Sequence, residues 1–281
     1  MSASGNGGMN YLITGAGRGI GRGLTRHLLQ KGHRVFLLDS NSSELEHTLS
    51  LASTWSSAKT SLPAFKGEVV DLRERAQIKD VVQKVSTFFD GRLDVLVNNA
   101  FATPHVWAEG KAMEEGTDEE IMQQWDDKIA VGLTAPFYLS RLCVPLLAAT
   151  GKDERGCIIN ISSTRASQAE DNHEGYSAAK GGLAGLTKSM AMSLGHKHKI
   201  RVNAIVPGWI AVDNENKAAD QAGTAWEEGM SEEDHRWHPA GRVGMVDDIA
   251  KALDFLVGSS FVTAEEIVVD GGVARKMYYP E

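Results

Sequence analysis

Cysteine is almost missing from this chain: Cys143 and Cys157 are the only two in 281 residues. They share no paired metal-ligand spacing and are too few for a disulfide framework, so a reducing compartment is implied, with both side chains acting as small buried hydrophobes. Clustered positive charge is also absent. Lysine and arginine number 29 against 37 aspartates and glutamates, a formal net charge of -8, and the basic positions are dispersed. Binding to nucleic acid or to acidic membranes without regard to sequence relies on the opposite pattern, so neither partner is expected. No stretch of about 18 apolar residues stands ready to cross a bilayer. The opening "MSASGNGG" is too small and polar for the apolar core of a secretory signal, which leaves residues 1–8 as a loose tail and the cytoplasm as the expected location.

What is present is a regular alternation. Seven short apolar runs rich in β-branched residues recur: 11–15, 35–39, 68–71, 93–100, 157–162, 200–208 and 266–272. They are nearly continuous in apolar character, as strands of a parallel sheet covered on both faces must be. Between them lie helix-period segments, "GRGLTRHLLQKG", "RERAQIKDVVQKVSTFF", residues 119–150, the stretch after Tyr176, and "VDDIAKALDFLVG". Strand and helix in strict alternation predict an α/β, doubly wound sheet with right-handed crossovers. The length permits one large domain or two small ones, and the lack of a linker or repeat favours one. Residues 212–242 break the pattern, being acidic and short of apolar runs. An insertion after the sixth strand lies beyond the carboxyl ends of the strands, where it could close over a ligand as a lid or remain a solvated excursion.

"TGAGRGIG" follows the first strand at once and opens the first helix. Gly15, Gly19 and Gly21 let the backbone turn sharply and approach a pyrophosphate resting on the helix start, with Arg18 and Ile20 between them. Asp39 ends the second strand, 18 residues beyond Gly21. An acid there can accept hydrogen bonds from a ribose 2′-hydroxyl and repel a 2′-phosphate, so NAD is preferred over NADP, although Arg18 offers a partial counter-charge.

Tyr176 and Lys180 stand four residues apart on one helix face. A phenol is a poor base at neutral pH unless something favours its phenolate, and a neighbouring ammonium does so. Ser163 closes the fifth strand 13 residues upstream. Its hydroxyl can hold the substrate oxygen with which the phenol exchanges a proton.

Taken together, TGAGRGIG, Asp39, "NNA" at 98–100, Ser163, Tyr176, Lys180, "PG" at 207–208 and "DGG" at 270–272 resemble the short-chain dehydrogenases/reductases, over about residues 9–275. The resemblance implies a single Rossmann-type domain with a seven-stranded parallel sheet, NAD(P)-dependent alcohol/carbonyl chemistry and a homo-oligomer, tetramer or dimer. By the same resemblance Tyr176 is the acid/base, Lys180 binds the nicotinamide ribose and lowers the tyrosine pKa, and Ser163 orients substrate. Asp71 and Leu72 would meet the adenine, Asn98 and Ala100 flank the adenosine, and Pro207, Gly208 and Ile210 reach the carboxamide side. Three positions depart from the pattern. Phe101 replaces the glycine after "NNA", Gly132 stands where an asparagine usually anchors a water of the proton relay, and Val212 replaces a threonine.

Between Ser163 and Tyr176 lie Arg165, Gln168, Glu170, Asp171, His173 and Glu174. If these polar groups face the site, a small oxygen-rich substrate such as a sugar, polyol or hydroxy acid is expected, with Arg165 and Gln168 binding it and Trp209 stacking from the opposite loop. The alternative is that the charges are merely solvated. His105, Trp107 and His173 form no metal-ligand spacing, so no metal is expected. Two other functions keep the same cofactor loop: a weakly catalytic dinucleotide sensor or scaffold, and a biosynthetic isomerisation or cyclisation. Residues 276–281 are a candidate subunit contact, because exposed apolar tails are rare on monomers.

Overall fold

The computed structural model describes residues 8–57, 62–148 and 156–277. The N-terminal tail up to residue 7 and Tyr278 and Tyr279 of the C-terminal tail lie outside the described residues. In chain order the main elements begin β1 (Asn10–Thr14), α1 (Gly19–Gln30), β2 (Arg34–Asp39), α2 (Ser42–Trp55), β3 (Phe65–Val69), α3 (Arg75–Phe88) and β4 (Val95–Asn98). They continue α4 (Asp118–Ile129), α5 (Ala135–Leu147), β5 (Cys157–Ile161), α6 (Glu174–His198) and β6 (Arg201–Pro207). Last come α7 (Lys217–Ala222), α8 (Glu232–Trp237), α9 (Val246–Gly258) and β7 (Glu266–Val269).

All seven strands pair in parallel in the order β3-β2-β1-β4-β5-β6-β7. The chain starts at the middle of the sheet, winds outward to β3, and returns to lay β4 on the other side of β1. The carboxyl ends of β1 and β4 therefore diverge, and the crevice between their loops is where such a sheet binds ligands. Successive strand residues point to opposite faces, so Leu12 and Ile13 enter different cores. Ile13, Val35 and Leu37 pack with Leu24 and Leu28 of α1 and Ile249 and Leu253 of α9. Leu12, Phe36 and Leu96 pack with Val81 and Val85 of α3 and Leu139 of α5. Cys143 and Cys157 are free and buried, one in each of these cores, with both thiols pushed up by burial, to about 12 and about 11.

Several sequence expectations need correction. Helix α2 was not anticipated, because only Leu45, Thr48 and Ala52 of its 14 residues are buried, a stripe too thin and too rich in serine to show a clear period. It is set instead by Asn41, whose side chain accepts from Glu44 N as an N-cap. The third strand runs from Phe65 and not from Glu68, since β3 is an edge strand whose Lys66 and Glu68 pair on a half-exposed face. Edge position is also why the near-continuous apolar pattern fails there. The single helix expected from 119 to 150 is α4 and α5 joined through a π-helical turn, Ala130–Thr134. By length and composition this continuous helical run, Asp118–Leu147, would also suit a bilayer, contrary to the expectation that no stretch would. It packs on α3, α6 and β4 as a core helix does. Residues 212–242 contain α7 and α8 and are not irregular throughout.

Two glycine-to-alanine changes separate contact from propensity. A β-carbon on Gly21 would overlap the Gly15 carbonyl and come 2.7 Å from Asn99 Nδ2, whereas one on Gly185 of α6 meets nothing within 4 Å. Gly21→Ala is expected to cost about 1–3 kcal/mol in urea unfolding. Gly185→Ala is expected to gain up to about 1 kcal/mol. Equal effects at the two positions would contradict the close seat of α1 on β1.

Candidate active site

A cleft of about 1120 Å³ opens at the carboxyl ends of β1, β2, β4, β5 and β6. Its floor is the turn after β1, where Gly15 and Gly19 take φ of 64° and 58°, a region that only glycine occupies without strain. No side chain caps α1 and no acid sits in its first turn, so its N-terminal dipole, met at Gly19 N by the Glu215 carbonyl, favours an anion. Gly15, Arg18, Gly19 and Ile20 line the cleft. Gly21 does not. It is the glycine that lets α1 approach β1.

The "NNA" segment divides its work differently from the expectation. Asn98 is buried in the sheet, donating through Nδ2 to Asn160 Oδ1 at 2.8 Å and to Ser140 Oγ at 3.2 Å, and it does not line the cleft. Strand alternation turns it inward and its neighbour outward. Asn99, which sequence reasoning passed over, donates through Nδ2 to the carbonyls of Thr14 and Gly15, both at 3.0 Å, and faces the cleft. Thr14 Oγ1 accepts from the backbone of Asn99 and of Ala100. The turns after β1 and β4 are thereby tied together.

At the other end of the cleft Asp39 accepts from Gly17 N at 2.8 Å and from Asn41 N at 2.9 Å. Arg18 turns away from it and donates to Thr103 Oγ1 at 3.0 Å. Asp71 and Leu72 line the same end. The Arg73 guanidinium grips Asp71 with two nitrogens and also reaches Asp127, and this pairing holds the Asp71 carboxyl below its usual range.

Ser163, Tyr176 and Lys180 meet at the opposite end. Tyr176 lies in the first turn of α6 and Lys180 one turn on, its ammonium 5.6 Å from the phenol ring centroid. Lys180 Nζ donates to the Ile161 carbonyl at 2.7 Å. Burial pushes its pKa from 10.5 down to about 7. Burial also raises Tyr176, while a hydrogen bond with Ser163 and the charge of Arg165 act the other way. Desolvation is the largest of these influences on the phenol in this conformation. Both groups lean toward their neutral forms.

Two departures from the family pattern turn out to be one feature. A β-carbon on Gly132 would lie 2.5 Å from Cε2 of Phe101, so the ring of one occupies the room left by the other. His105, also missed as a site residue, stacks on Tyr176 with ring centroids 4.5 Å apart and planes at 26°. Burial first, then the charges of Lys180, His173, Lys128 and Arg18, push its imidazole down to about 4. A histidine seven residues past Asn98 gave no sequence signal, because its neighbour Tyr176 is 71 residues away.

The expected substrate contacts are arranged less simply. Pro207, Gly208 and Ile210 line the cleft, but Arg165, Gln168 and Trp209 do not. Arg165 donates through Nε to Glu170 at 2.6 Å. Trp209 is 47% exposed, with its ring 5.9 Å from that of His238. From the 212–242 segment Val212, Asp213, Glu215 and Asn216 line the phosphate end, and the Glu215 carbonyl accepts from Gly19 N at 2.8 Å.

A family model described as enoyl-(acyl carrier protein) reductase matches residues 15–274. An uncharacterized oxidoreductase of Thermotoga maritima is 35% identical over 96% of this chain and 97% of its own length. Gluconate 5-dehydrogenase of Gluconobacter oxydans is 30% identical over 95% and 94%. Among solved structures, 3-ketoacyl-(acyl-carrier-protein) reductase from Brucella melitensis, complexed with NADH, superposes with a TM-score of 0.76 at 26% identity, covering 95% of this chain and 99% of that one.

The lowered Lys180 pKa makes a stability prediction. Unfolded chains bind a proton at this lysine up to about pH 10.4, whereas the folded protein releases it from about 7. Between those values the unfolded state holds more protons, so folding is favoured progressively as pH rises, by at most about 1.4 kcal/mol per pH unit. Urea midpoints of the wild type relative to Lys180→Met should climb from pH 7 to 10. A flat difference would show that the ammonium is not desolvated.

Proposed function

The chain belongs to the short-chain dehydrogenase/reductase family, oxidoreductases acting on CH–OH groups with NAD(P), and on that premise we propose that it interconverts a secondary alcohol and a ketone on a small polar substrate, using NAD. The observation that carries this reading is the meeting of Ser163, Tyr176 and Lys180 at one end of a cleft whose other end is a glycine turn on a helix start. A dinucleotide fits those residues. A β-carbon on Gly15 would come 2.9 Å from Ala100 Cα, so the turn is shaped for close backbone approach. When bound, the nicotinamide supplies the hydride acceptor or donor.

The chain's own residues do the rest. Gly15, Arg18, Gly19 and Ile20 hold the pyrophosphate, with Gly21 seating the helix behind them. Asp39 receives the adenosine ribose, Asp71, Leu72 and Ala100 border the adenine, and Pro207, Gly208 and Ile210 border the carboxamide. Ser163 holds the substrate oxygen and Tyr176 takes its proton during oxidation, giving it back during reduction. The first turn of α6 favours the phenolate through the helix dipole. Lys180, one turn on, supplies the positive charge that a phenolate needs in so dry a place.

The preference for NAD rests on Asp39, whose carboxylate a 2′-phosphate would meet as like charge, and on Arg18, which is held at Thr103 and offers no counter-charge. The polar substrate is supported by the hydroxyls of Ser163 and Thr103 and the imidazole of His105 on the cleft wall, and by the gluconate 5-dehydrogenase relative. Residues 212–242 act as the lid of a single catalytic domain spanning 9–275, and the protein works as a homo-oligomer.

Two measurements test this. Tyr176→Phe should lower turnover at least about a hundredfold, the usual worth of general acid–base catalysis, while NAD binding by fluorescence stays at the wild-type value. A panel of sugars, polyols, hydroxy acids and acyl-chain alcohols, followed by NADH absorbance, tests the substrate class. Turnover confined to the acyl-chain alcohols refutes the polar substrate, and binding of NAD without turnover of any of them points to a sensor. Titrating NAD against NADP, in wild type and in Asp39→Ala, tests the cofactor: NAD should bind at least about tenfold more tightly to the wild type, and the preference should fall in the variant.

A further inference from the structure

The ring of Phe101 stands where a side chain at position 132 would be. A β-carbon on Gly132 comes 2.5 Å from Phe101 Cε2, 2.8 Å from its Cδ2 and 3.0 Å from Ala179 Cβ. Nothing larger than glycine fits while the ring stays. Gly132 is buried in the π-helical turn between α4 and α5, a local insertion of the kind that marks functional sites more often than chance. The ring seated on it faces the reacting groups. Its edge meets Tyr176, with centroids 4.7 Å apart and planes at 83°. Its face lies 5.1 Å from Lys180 Nζ, nearer than the Tyr176 ring at 5.6 Å.

We propose that Phe101 is a positioning residue for the reaction: seated on Gly132, its ring holds the Lys180 ammonium and the Tyr176 ring in a fixed relation to each other. The proposal rests on the reading of Tyr176 as the acid/base. Lys180 is 3% exposed and gives one hydrogen bond, to the Ile161 carbonyl. The negative face of an aromatic ring is a second partner for such an ammonium, and one that excludes water. Resemblance assigned position 132 a polar side chain that works through water; here the neighbouring segment delivers an apolar ring to the same place. His105 stacks on Tyr176 and also meets Phe101 edge-on at 5.6 Å, so the three rings form one mutually contacting cluster.

The charges around Tyr176 are identifiable. Lys180 lies on α6 with its ammonium 5.6 Å from the phenol ring, His173 at the start of α6 with its ring 6.2 Å away, and Arg165 in the turn after β5, where its charge favours the phenolate. Lys128 of α4 and Arg18 of the phosphate turn act on His105, which is stacked on Tyr176. The nearest carboxylate in sequence, Glu174, is held by Trp107 Nε1 at 2.8 Å. Arg165 is already paired with Glu170, so the phenolate depends on Lys180 being held in place, and Phe101 contacts that ammonium.

The test reads the ionisation of Tyr176 by phenolate difference absorption in the whole protein, with each variant's own Tyr176→Phe partner as blank. Phe101→Leu keeps the bulk but removes the ring face, and should raise the midpoint by about one pH unit. Phe101→Tyr keeps the face and should leave the midpoint at the wild-type value. A double-mutant cycle supplies the second arm: Gly132→Ala should shift the midpoint, or destabilise the protein to urea, when Phe101 is present, and should do neither in Phe101→Ala. Wild-type ionisation in Phe101→Leu, or an equal effect of Gly132→Ala in both backgrounds, overturns the proposal. If Tyr176→Phe turns over like the wild type, it is the acid/base reading that fails, and the cycle still decides whether the ring and the glycine are coupled.

Discussion

The hydrogen bond from Lys180 Nζ to the Ile161 carbonyl is the contact on which the candidate site depends. It ties the second turn of α6 to the last residue of β5, and Ser162 Oγ, donating to the Lys180 carbonyl at 3.3 Å, ties the same turn from the other side. With that turn pinned, Tyr176 is held beside Ser163, to which it hydrogen-bonds. The arrangement carries an electrostatic cost. Burial opposes the charge on both Lys180 and Tyr176, and in this conformation it prevails on both. A phenolate beside an ammonium would relieve each group's isolation, since opposite charges in so dry a place favour one another's ionised forms.

A second constraint acts at the phosphate end. Glu215 is 3% exposed and bonds both outer nitrogens of Arg26, while Asp220 accepts from Arg22 and meets His47, each at 2.6 Å. These pairs clamp the chain after β6 to α1 and α2, and Lys217 N donates to Glu44 across the same seam. The Arg26–Glu215 and Arg22–Asp220 pairs each join one buried side chain, Glu215 or Arg22, to a partner about 30% exposed, and losing that partner would leave the buried charge stranded. The segment is therefore a strap anchored beside the cleft, and its carbonyl at Glu215 already touches the helix start that would receive a pyrophosphate. The Gly19 N–H at that helix start is thus already bonded to the strap.

Sequence legibility followed the physics of each element. Buried strands with residues such as Leu37, Val97 and Ile159 declare themselves because both faces must be apolar, and the glycine turn declares itself because Gly15 and Gly19 need a backbone that other residues avoid. Edge strand β3 and helix α2 were hard to read because half of each faces water. The register at Asn98 and Asn99 was missed for a subtler reason. A strand end obliges one asparagine to point into the sheet and the next into the cleft, and identical residues give no clue to the phase. Phe101 and Gly132 stood out singly as departures from the pattern, but their contact with each other, like that of His105 with Tyr176, was not legible because the partners are remote in sequence.

The polar run between Ser163 and Tyr176 shows where composition misleads about chemistry. Arg165 read as a carboxylate binder, yet its guanidinium is bonded to Glu170 five residues on, and neither it nor Gln168 reaches the cleft wall. A charge satisfied by a neighbour has little left for a ligand, since rebinding it elsewhere must first break the existing pair. What the cleft wall offers near Tyr176 is the hydroxyls of Ser163 and Thr103 and an imidazole at His105 that burial pushes down to about 4, beside the cations of Arg18 and Lys180. The donors and acceptors without charge among these discriminate by hydrogen-bond geometry.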